Sequence, residues 1–481
     1  LVIGAIAICR FDDLGGAAIF AGTKKLNQGD TMHDSNHGVN RRRILQTGAV
    51  LAAGAALAQV TPLSFAAGAS AGYRFPKGFL WGAAIAGHQA EGDNVNSDAW
   101  LLENIKPTMF KEPSGSAVDH YRLYAEDIAT LAAVGLNTFR FSIEWARVEP
   151  VEGMFSVAAI EHYRDVLETC RKHKVHAMVS FNHFVLPAWF AGRGGWEADG
   201  AADLYARYCD KVARELGHLM TNAATFNEPN LAKMLFGIPG PLQQYAGLPA
   251  EKEMLAIAGR RMGTGRFSSW IFGDFDKIEA GMLAGHEAAY KAIKAVHPKL
   301  PVGLTMAIAD EQAVGDPAMR DRKRKVAYEV WFDAVSRHGD YIGVQTYTRG
   351  LVGPEGELPP PAGAELTDSG FEFWPEALEA TIRYTREHVK LPIYVTENGV
   401  ATTDDRRREE YIRRALKGVA NCLKGGIDVR GYIHWSLLDN FEWIFGYGPR
   451  FGLIAVDRTT MRRTIKPSAR LLGGIAKRNA I

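Results

Sequence analysis

Between residue 75 and the C-terminus, eight short apolar runs alternate with eight long amphipathic stretches. The runs are 79–85, 138–143, 176–181, 222–226, 301–308, 341–347, 392–396 and 429–436, each rich in Val, Ile, Phe or Tyr. Near-continuous apolar runs of this length suit strands buried on both faces. The stretches between them are 119–134, 158–173, 203–217, 276–296, 321–337, 375–389, 405–423 and 467–477. In 158–173, Ile160, Tyr163, Val166, Leu167 and Cys170 recur at spacings of three and four and make one apolar helix face. Gly135, Gly339 and Gly425 stand where helix C-caps are expected. Eight alternating strand–helix pairs predict an α/β fold, a single (β/α)8 TIM barrel. The Gly- and Pro-containing stretches 237–273 and 350–373 follow strands four and six, so they are expected over the mouth of the barrel.

The head of the chain reads differently. Arg41-Arg42-Arg43 precedes an Ala- and Gly-rich apolar run, and Ala67-Gly68-Ala69-Ser70-Ala71 offers small-residue cleavage sites. Basic, apolar and small-residue segments in this order describe an export signal, and the paired arginines resemble a twin-arginine signal. Residues 32–71, beginning at Met32, make a complete signal of normal proportions, and residues 1–31 read as an upstream mis-translated extension. The expected partner of the leader is the twin-arginine translocation machinery, and the expected location is periplasmic or secreted. The apolar run is too short and too Ala-rich to anchor the chain in a bilayer. The domain reading is therefore 1–31, 32–71, and a catalytic barrel over 72–481.

The leader's six Lys/Arg and four acids account for the whole net charge of +2. Such a balance gives no electrostatic case for nucleic acid, whose binders concentrate basic charge on one face. The four Cys (Cys9, Cys170, Cys209 and Cys422) form no CxxC, and the last three read as small hydrophobes on helices. There is no HExxH, no zinc spacing, no Walker loop and no G-x-S-x-G, so neither a metal nor a cofactor is expected. The run Arg406-Arg407-Arg408 lies between acidic pairs and reads as a solvated helix face.

Chemistry concentrates where strands end. Strand four ends Thr225-Phe226-Asn227-Glu228-Pro229, and strand seven ends Val395-Thr396-Glu397-Asn398-Gly399. A carboxyl beside a buried strand is costly to keep without a use. Residues at the C-terminal ends of barrel strands converge on one cavity. Two carboxyls facing across such a cavity suit glycosidic cleavage, one protonating the leaving oxygen and the other attacking carbon or activating water.

At these residues the chain resembles glycoside hydrolase family 1, the β-glucosidase family, over about residues 75–475. Four segments carry the resemblance. They are Phe79-Leu80-Trp81-Gly82-Ala83-Ala84 through His88-Gln89-Ala90-Glu91-Gly92, the two strand-end motifs, and His434-Trp435-Ser436-Leu437-Leu438-Asp439-Asn440-Phe441-Glu442-Trp443. The resemblance implies a retaining β-glycosidase acting on terminal non-reducing β-D-glycosyl residues of a small β-glycoside or oligosaccharide. Glu397 would be the nucleophile and Glu228 the acid, then the base. Arg140 would keep Glu397 ionised and oriented, Tyr347 would hydrogen-bond it, and Asn227 would bond the sugar 2-hydroxyl. Gln89, His183 and Glu442 would bind the other hydroxyls, with Trp435 as apolar floor and Trp443 as lining. Glu442 would repel a phosphorylated sugar, and Glu228 argues against the thioglucosidase branch.

Two positions depart from the family pattern. Phe184 stands where the family usually has Trp, and Gln345 where it usually has Asn. The first loses an N–H donor and ring area, and the second moves an amide near the sugar. The stretch 259–273 matches no recognisable family loop, so the aglycone site is not carried over. Rivals are a transglycosidase using the same intermediate, a non-catalytic sugar-binding barrel and a cellulase-like barrel hydrolase. Retention of both Glu228 and Glu397 opposes the second, and residues 434–443, which suggest a closed single-sugar pocket, oppose the third.

Overall fold

In the computed structural model, which describes residues 73–242 and 247–481, eight parallel strands close into a barrel. In chain order they are β1 (Leu80–Ala84), β2 (Thr138–Ser142), β3 (His176–Ser180), β4 (Asn222–Asn227), β5 (Val302–Ala307), β7 (Tyr341–Gln345), β10 (Ile393–Asn398) and β11 (Val429–Trp435). Each coincides with a predicted apolar run. The leader, with the readings placed on residues 1–71 and on Cys9, lies outside the described residues. Cys170, Cys209 and Cys422 are buried and free on their helices, as small hydrophobes are.

The helices follow the predicted order, and their ends have local causes. Ser156 caps the helix Val157–Lys172 through Ala159 N–H, and Asp274 caps Phe275–Val296 through Asp276 and Lys277. Gly135 ends His120–Val134 at φ +112°, a conformation that suits Gly. Gly425 caps Asp405–Lys424 as expected, at φ −77°, while Gly426 takes the left-handed turn at φ +80°. The expected cap at Gly339 is corrected, since His338 is the residue that ends Val330–Arg337. The stretch 321–337 is not uniform either. It runs as Ala318–Arg324, a π-helical turn at Lys325–Glu329, then Val330–Arg337.

Inside the barrel, Leu80, Met178, Tyr341 and Tyr394 form a buried cluster near the N-terminal ends of their strands. This apolar fill closes one end and leaves polar residues for the other. The long loops hold structure that period alone did not reveal. The β4 loop contains helices Leu231–Phe236 and Pro249–Arg261. The loops after β5 and β7 share a three-stranded sheet of β6 (Asp310–Ala313), β8 (Arg349–Gly353) and β9 (Gly356–Leu358). A hairpin of β12 (Ile454–Asp457) and β13 (Arg462–Ile465) follows β11. Among the described residues no helix is long and apolar enough to cross a membrane.

Candidate active site

Each of the two motif carboxyls follows a break in strand register. The β4–β5 pairing shifts between Ala224 and Asn227, and the β10–β7 pairing shifts between Val395 and Glu397. An extra residue in one strand re-aims the side chains beyond it. Glu228, one residue past β4, sits at φ +45° with its N–H donating to Thr305 O at 2.7 Å. Phe184 (φ +72°) and Trp443 (φ +51°) share this sparsely populated conformation. Non-Gly residues pay strain there, and such strain gathers at functional sites.

Glu397 is fully buried and gripped from two sides. Arg140 Nη1 donates to its Oε1 at 2.5 Å, and Tyr347 OH donates to its Oε2 at 2.6 Å. Burial raises the Glu397 carboxyl above its ordinary value, and Arg140 and the Tyr347 hydrogen bond offset part of that rise. Glu228 has no such grip, and its Oε2 has no hydrogen-bond partner among the described residues. Burial first, and the charge of Glu397 second, push Glu228 up to about 8. Of the two carboxyls, Glu228 therefore holds the proton at neutral pH.

The guanidinium of Arg140 also fixes Asn227. Arg140 Nη2 donates to Asn227 Oδ1 at 2.6 Å, and Gln345 Nε2 donates to the same oxygen at 2.9 Å. Arginine can only donate, so the oxygen of the Asn227 amide must face it. Asn227 Nδ2 then faces His183 Nε2 at 3.2 Å as a donor. His183 is neutral, since burial and Arg140 lower its pKa well below the ordinary value. Its Nε2 accepts, so its Nδ1 carries the proton, and that N–H has no partner among the described residues. Gln345 takes up its departure from the family pattern here. The longer amide also reaches Thr305 Oγ1 at 3.0 Å and leaves its own Oε1 unpaired.

The opposite wall holds Gln89 and Glu442. Gln89 Nε2 donates to Phe441 O at 2.7 Å and approaches Glu442 Oε2 at 3.4 Å. Gln89 Oε1 and Glu442 Oε1 are buried without partners among the described residues. Burial, then repulsion from Glu397 and Glu228, raises Glu442 to about 8. The rings form a continuous layer. His183 stacks with Trp435 (5.7 Å, 20°) and with Trp443 (6.3 Å, 14°), and Phe184 meets Trp443 edge-on at 5.3 Å. A small cavity lies beside Glu228 between Met234, Ile308, Tyr347 and Phe371. Unpaired donors and acceptors facing aromatic planes are what a polyhydroxylated ring needs, since its hydroxyls bond in the ring plane and its C–H faces pack on rings.

All twelve site residues expected from the sequence thus lie in or beside one centre. Three participants were missed in the sequence, two of them without any signal. Thr305 on β5 contacts Arg140, Asn227 and Gln345, but an isolated Thr in an apolar run is unremarkable. Tyr411 OH donates to Tyr347 O at 2.8 Å from the helix Asp405–Lys424, where nothing in the sequence marks it out. Trp270 stacks on Phe184 at 4.0 Å and 14°, and its presence as an indole in the unmatched 259–273 loop was the one available hint. Among the described residues no group of three or more His, Cys, Asp or Glu could hold a metal ion.

Comparison with known proteins agrees with this geometry. The profile of glycosyl hydrolase family 1 matches residues 72–359 and 361–481. The thermostable β-glucosidase B of Thermobispora bispora is 30% identical over 451 residues, covering 85% of this chain and 91% of that one. The solved structure of β-glycosidase BGL167 is 50% identical at a TM-score of 0.80, covering 85% of this chain and 98% of that one. The apo structure of β-glucosidase 1317 is 48% identical at a TM-score of 0.80, covering 83% and 98%. Taken with the paired carboxyls at the ends of β4 and β10, these matches establish that the chain belongs to glycosyl hydrolase family 1 and is a retaining β-glycosidase.

Proposed function

We propose that Glu397 is the nucleophile and Glu228 the acid/base in hydrolysis of terminal, unphosphorylated β-D-glycosyl residues, glucosides foremost. The observation that carries the assignment is the unequal grip on the two carboxyls. Arg140 and Tyr347 both donate to Glu397 and favour its ionised form, while no such donor favours ionisation of Glu228, which is raised to about 8. In the first step a Glu397 oxygen attacks the anomeric carbon from the α face. The bond to the leaving oxygen breaks, and Glu228 passes its proton to that oxygen. Esterification removes the charge of Glu397, which is one of the two causes holding Glu228 up. Glu228 then falls and takes a proton from water, which opens the ester and restores the β configuration.

In this reading the Nδ1–H of His183 donates to a sugar hydroxyl and the free N–H of Asn227 to the 2-hydroxyl. Gln89 and Glu442 hold the far hydroxyls over the Trp435 floor. Glucose is favoured because two of the three relatives named above are β-glucosidases, and the acid Glu442 offers no basic group to a phosphorylated ring. Two assays test the reading. A panel of p-nitrophenyl glycosides ranks the sugars, with the β-glucoside expected first. Proton NMR of the first-formed sugar is expected to show the β anomer, and the α anomer would overturn the two roles.

We also infer that residues 32–71 direct twin-arginine export to the periplasm or beyond. The support is Arg41-Arg42 before an apolar run and small-residue cleavage sites. Fusing 32–71 to a reporter is expected to give export that is lost when both arginines become Lys, and export of the Lys pair would refute it.

A further inference from the structure

The loop 262–274 lies between the helices Pro249–Arg261 and Phe275–Val296 and carries Trp270. Its indole lies face to face on Phe184 at 4.0 Å and meets Trp443 at 5.8 Å. Phe184 and Trp443 are buried at 3% and 2% exposure, whereas Trp270 is only partly buried. The three rings thus form a wall two rings deep, with Trp270 as the outer layer between the pocket and solvent. The side of the pocket matters. Phe184 follows His183 after β3, and Trp443 follows Glu442 after β11, so the wall stands with the hydroxyl-binding residues. The cavity beside Glu228, which under the proposed roles protonates the leaving oxygen, lies instead toward β5 and β7. The wall therefore closes the glycone end.

One buried carboxylate ties this wall together. Asp98 Oδ1 accepts from Leu186 N at 2.8 Å and from Ala99 N at 2.8 Å, and its Oδ2 accepts from Ser269 Oγ at 2.6 Å. Its own N–H donates to Leu186 O at 2.9 Å. Leu186 is two residues from Phe184, and Ser269 is next to Trp270, so a side chain in the β1 loop links the loops of both stacked rings. Burial raises the Asp98 carboxyl only to about 6, so at neutral pH it remains an acceptor facing three donors.

We propose that Trp270 is a specificity-determining residue that closes the non-reducing end of the glycone pocket against a second sugar, with Asp98 as its positioning residue. The inference rests on the proposed β-glycosidase pocket and extends it. Phe184 is a smaller ring than the Trp the family usually places there, and Trp270 supplies the missing layer from another loop. Removing the outer indole leaves a space of about the size of one sugar ring behind Phe184, into which the unbacked Phe184 ring can turn and open the pocket.

The test uses p-nitrophenyl β-cellobioside and product analysis at early time. The wild-type enzyme is expected to remove the terminal glucose first. W270A is expected to release intact cellobiose with p-nitrophenol, raising the initial cellobiose-to-glucose ratio about ten-fold or more. W270F should restore the wild-type ratio. D98A should raise the ratio as W270A does, with a larger effect on KM than on kcat, while D98N, which keeps the Oδ1 acceptor, should change it less. Thermal melting reports folding, and if W270A does not fold, W270L gives the same readout. An unchanged ratio in W270A or W270L with p-nitrophenyl β-glucoside still cleaved overturns the wall. An unchanged ratio in D98A overturns the positioning role. A wild-type enzyme that cleaves no aryl β-glycoside overturns the underlying functional reading instead.

Discussion

Arg140 Nη1 lies 2.5 Å from Glu397 Oε1, and both side chains are about 1% exposed. A buried pair of this kind is costly to desolvate, and removing one partner leaves the other uncompensated. The contact crosses the barrel from β2 to β10, so it sets the protonation state of the site rather than the stability of a surface. The other arm of the same guanidinium holds Asn227, which fixes the His183 tautomer. One side chain thereby positions the proposed nucleophile and the two proposed sugar contacts.

Arg140→Lys should separate these duties. A compact ammonium cannot span Glu397 and Asn227 as a planar fork does. Turnover is expected to fall by roughly 10²-fold. The acid limb of kcat/KM is expected to move to higher pH, because Glu397 loses the group that lowers it. An unshifted acid limb would show that Arg140 does not govern Glu397 ionisation.

Glu397→Gly should reduce hydrolysis to background and regain turnover with azide or formate, which occupy the vacated space. Azide is expected to yield the α-glycosyl azide, since a single displacement inverts the centre. Wild-type activity in this variant would remove Glu397 from the mechanism.

Glu228→Ala should cost roughly 10²–10⁴-fold on glycosides with poor leaving groups. With a 2,4-dinitrophenyl glycoside, which leaves without a proton, the loss should shrink. In the unaltered enzyme kcat/KM should fall as pH rises through about 8, where Glu228 gives up its proton. Steady-state pH profiles of Glu228→Gln should lack that basic limb, and its persistence would assign it to another group.

Glu442→Gln should exchange function for stability. The folded pKa of Glu442 is raised from 4.5 to about 8. Its favourable protonated state is fully available below 4.5, and stability is lost as pH rises from there through about 8, because the unfolded chain has already released the proton. The neutral Gln escapes that loss. Melting temperature relative to wild type should therefore rise more at pH 8 than at pH 5, while KM for the β-glucoside rises. An equal change in melting temperature at both pH values would contradict the raised pKa.

The barrel was legible because its eight strands are apolar on both faces, and burial on both faces writes itself into local sequence. Glu228 and Glu397 were legible because each stands at the end of such a run, where a charge is conspicuous. Thr305 and Tyr411 were not, since each looks like an ordinary residue of a strand or helix face until its neighbours are known. The helix Pro249–Arg261 was read as loop because it is short of a clear apolar face and is flanked by Gly and Pro.

The chain's own order of residues therefore determined the strand–helix alternation, the pair of carboxyls and the ring-rich last strand loop. Local physics suffices for these, since periodicity, burial and strand ends are properties of short segments. Tertiary structure alone decided which carboxyl keeps the proton, which nitrogen of His183 donates, and that Trp270 backs Phe184. Each of those depends on atoms brought within about 3–6 Å from residues far apart in the chain, and both electrostatics and packing fall off over that distance.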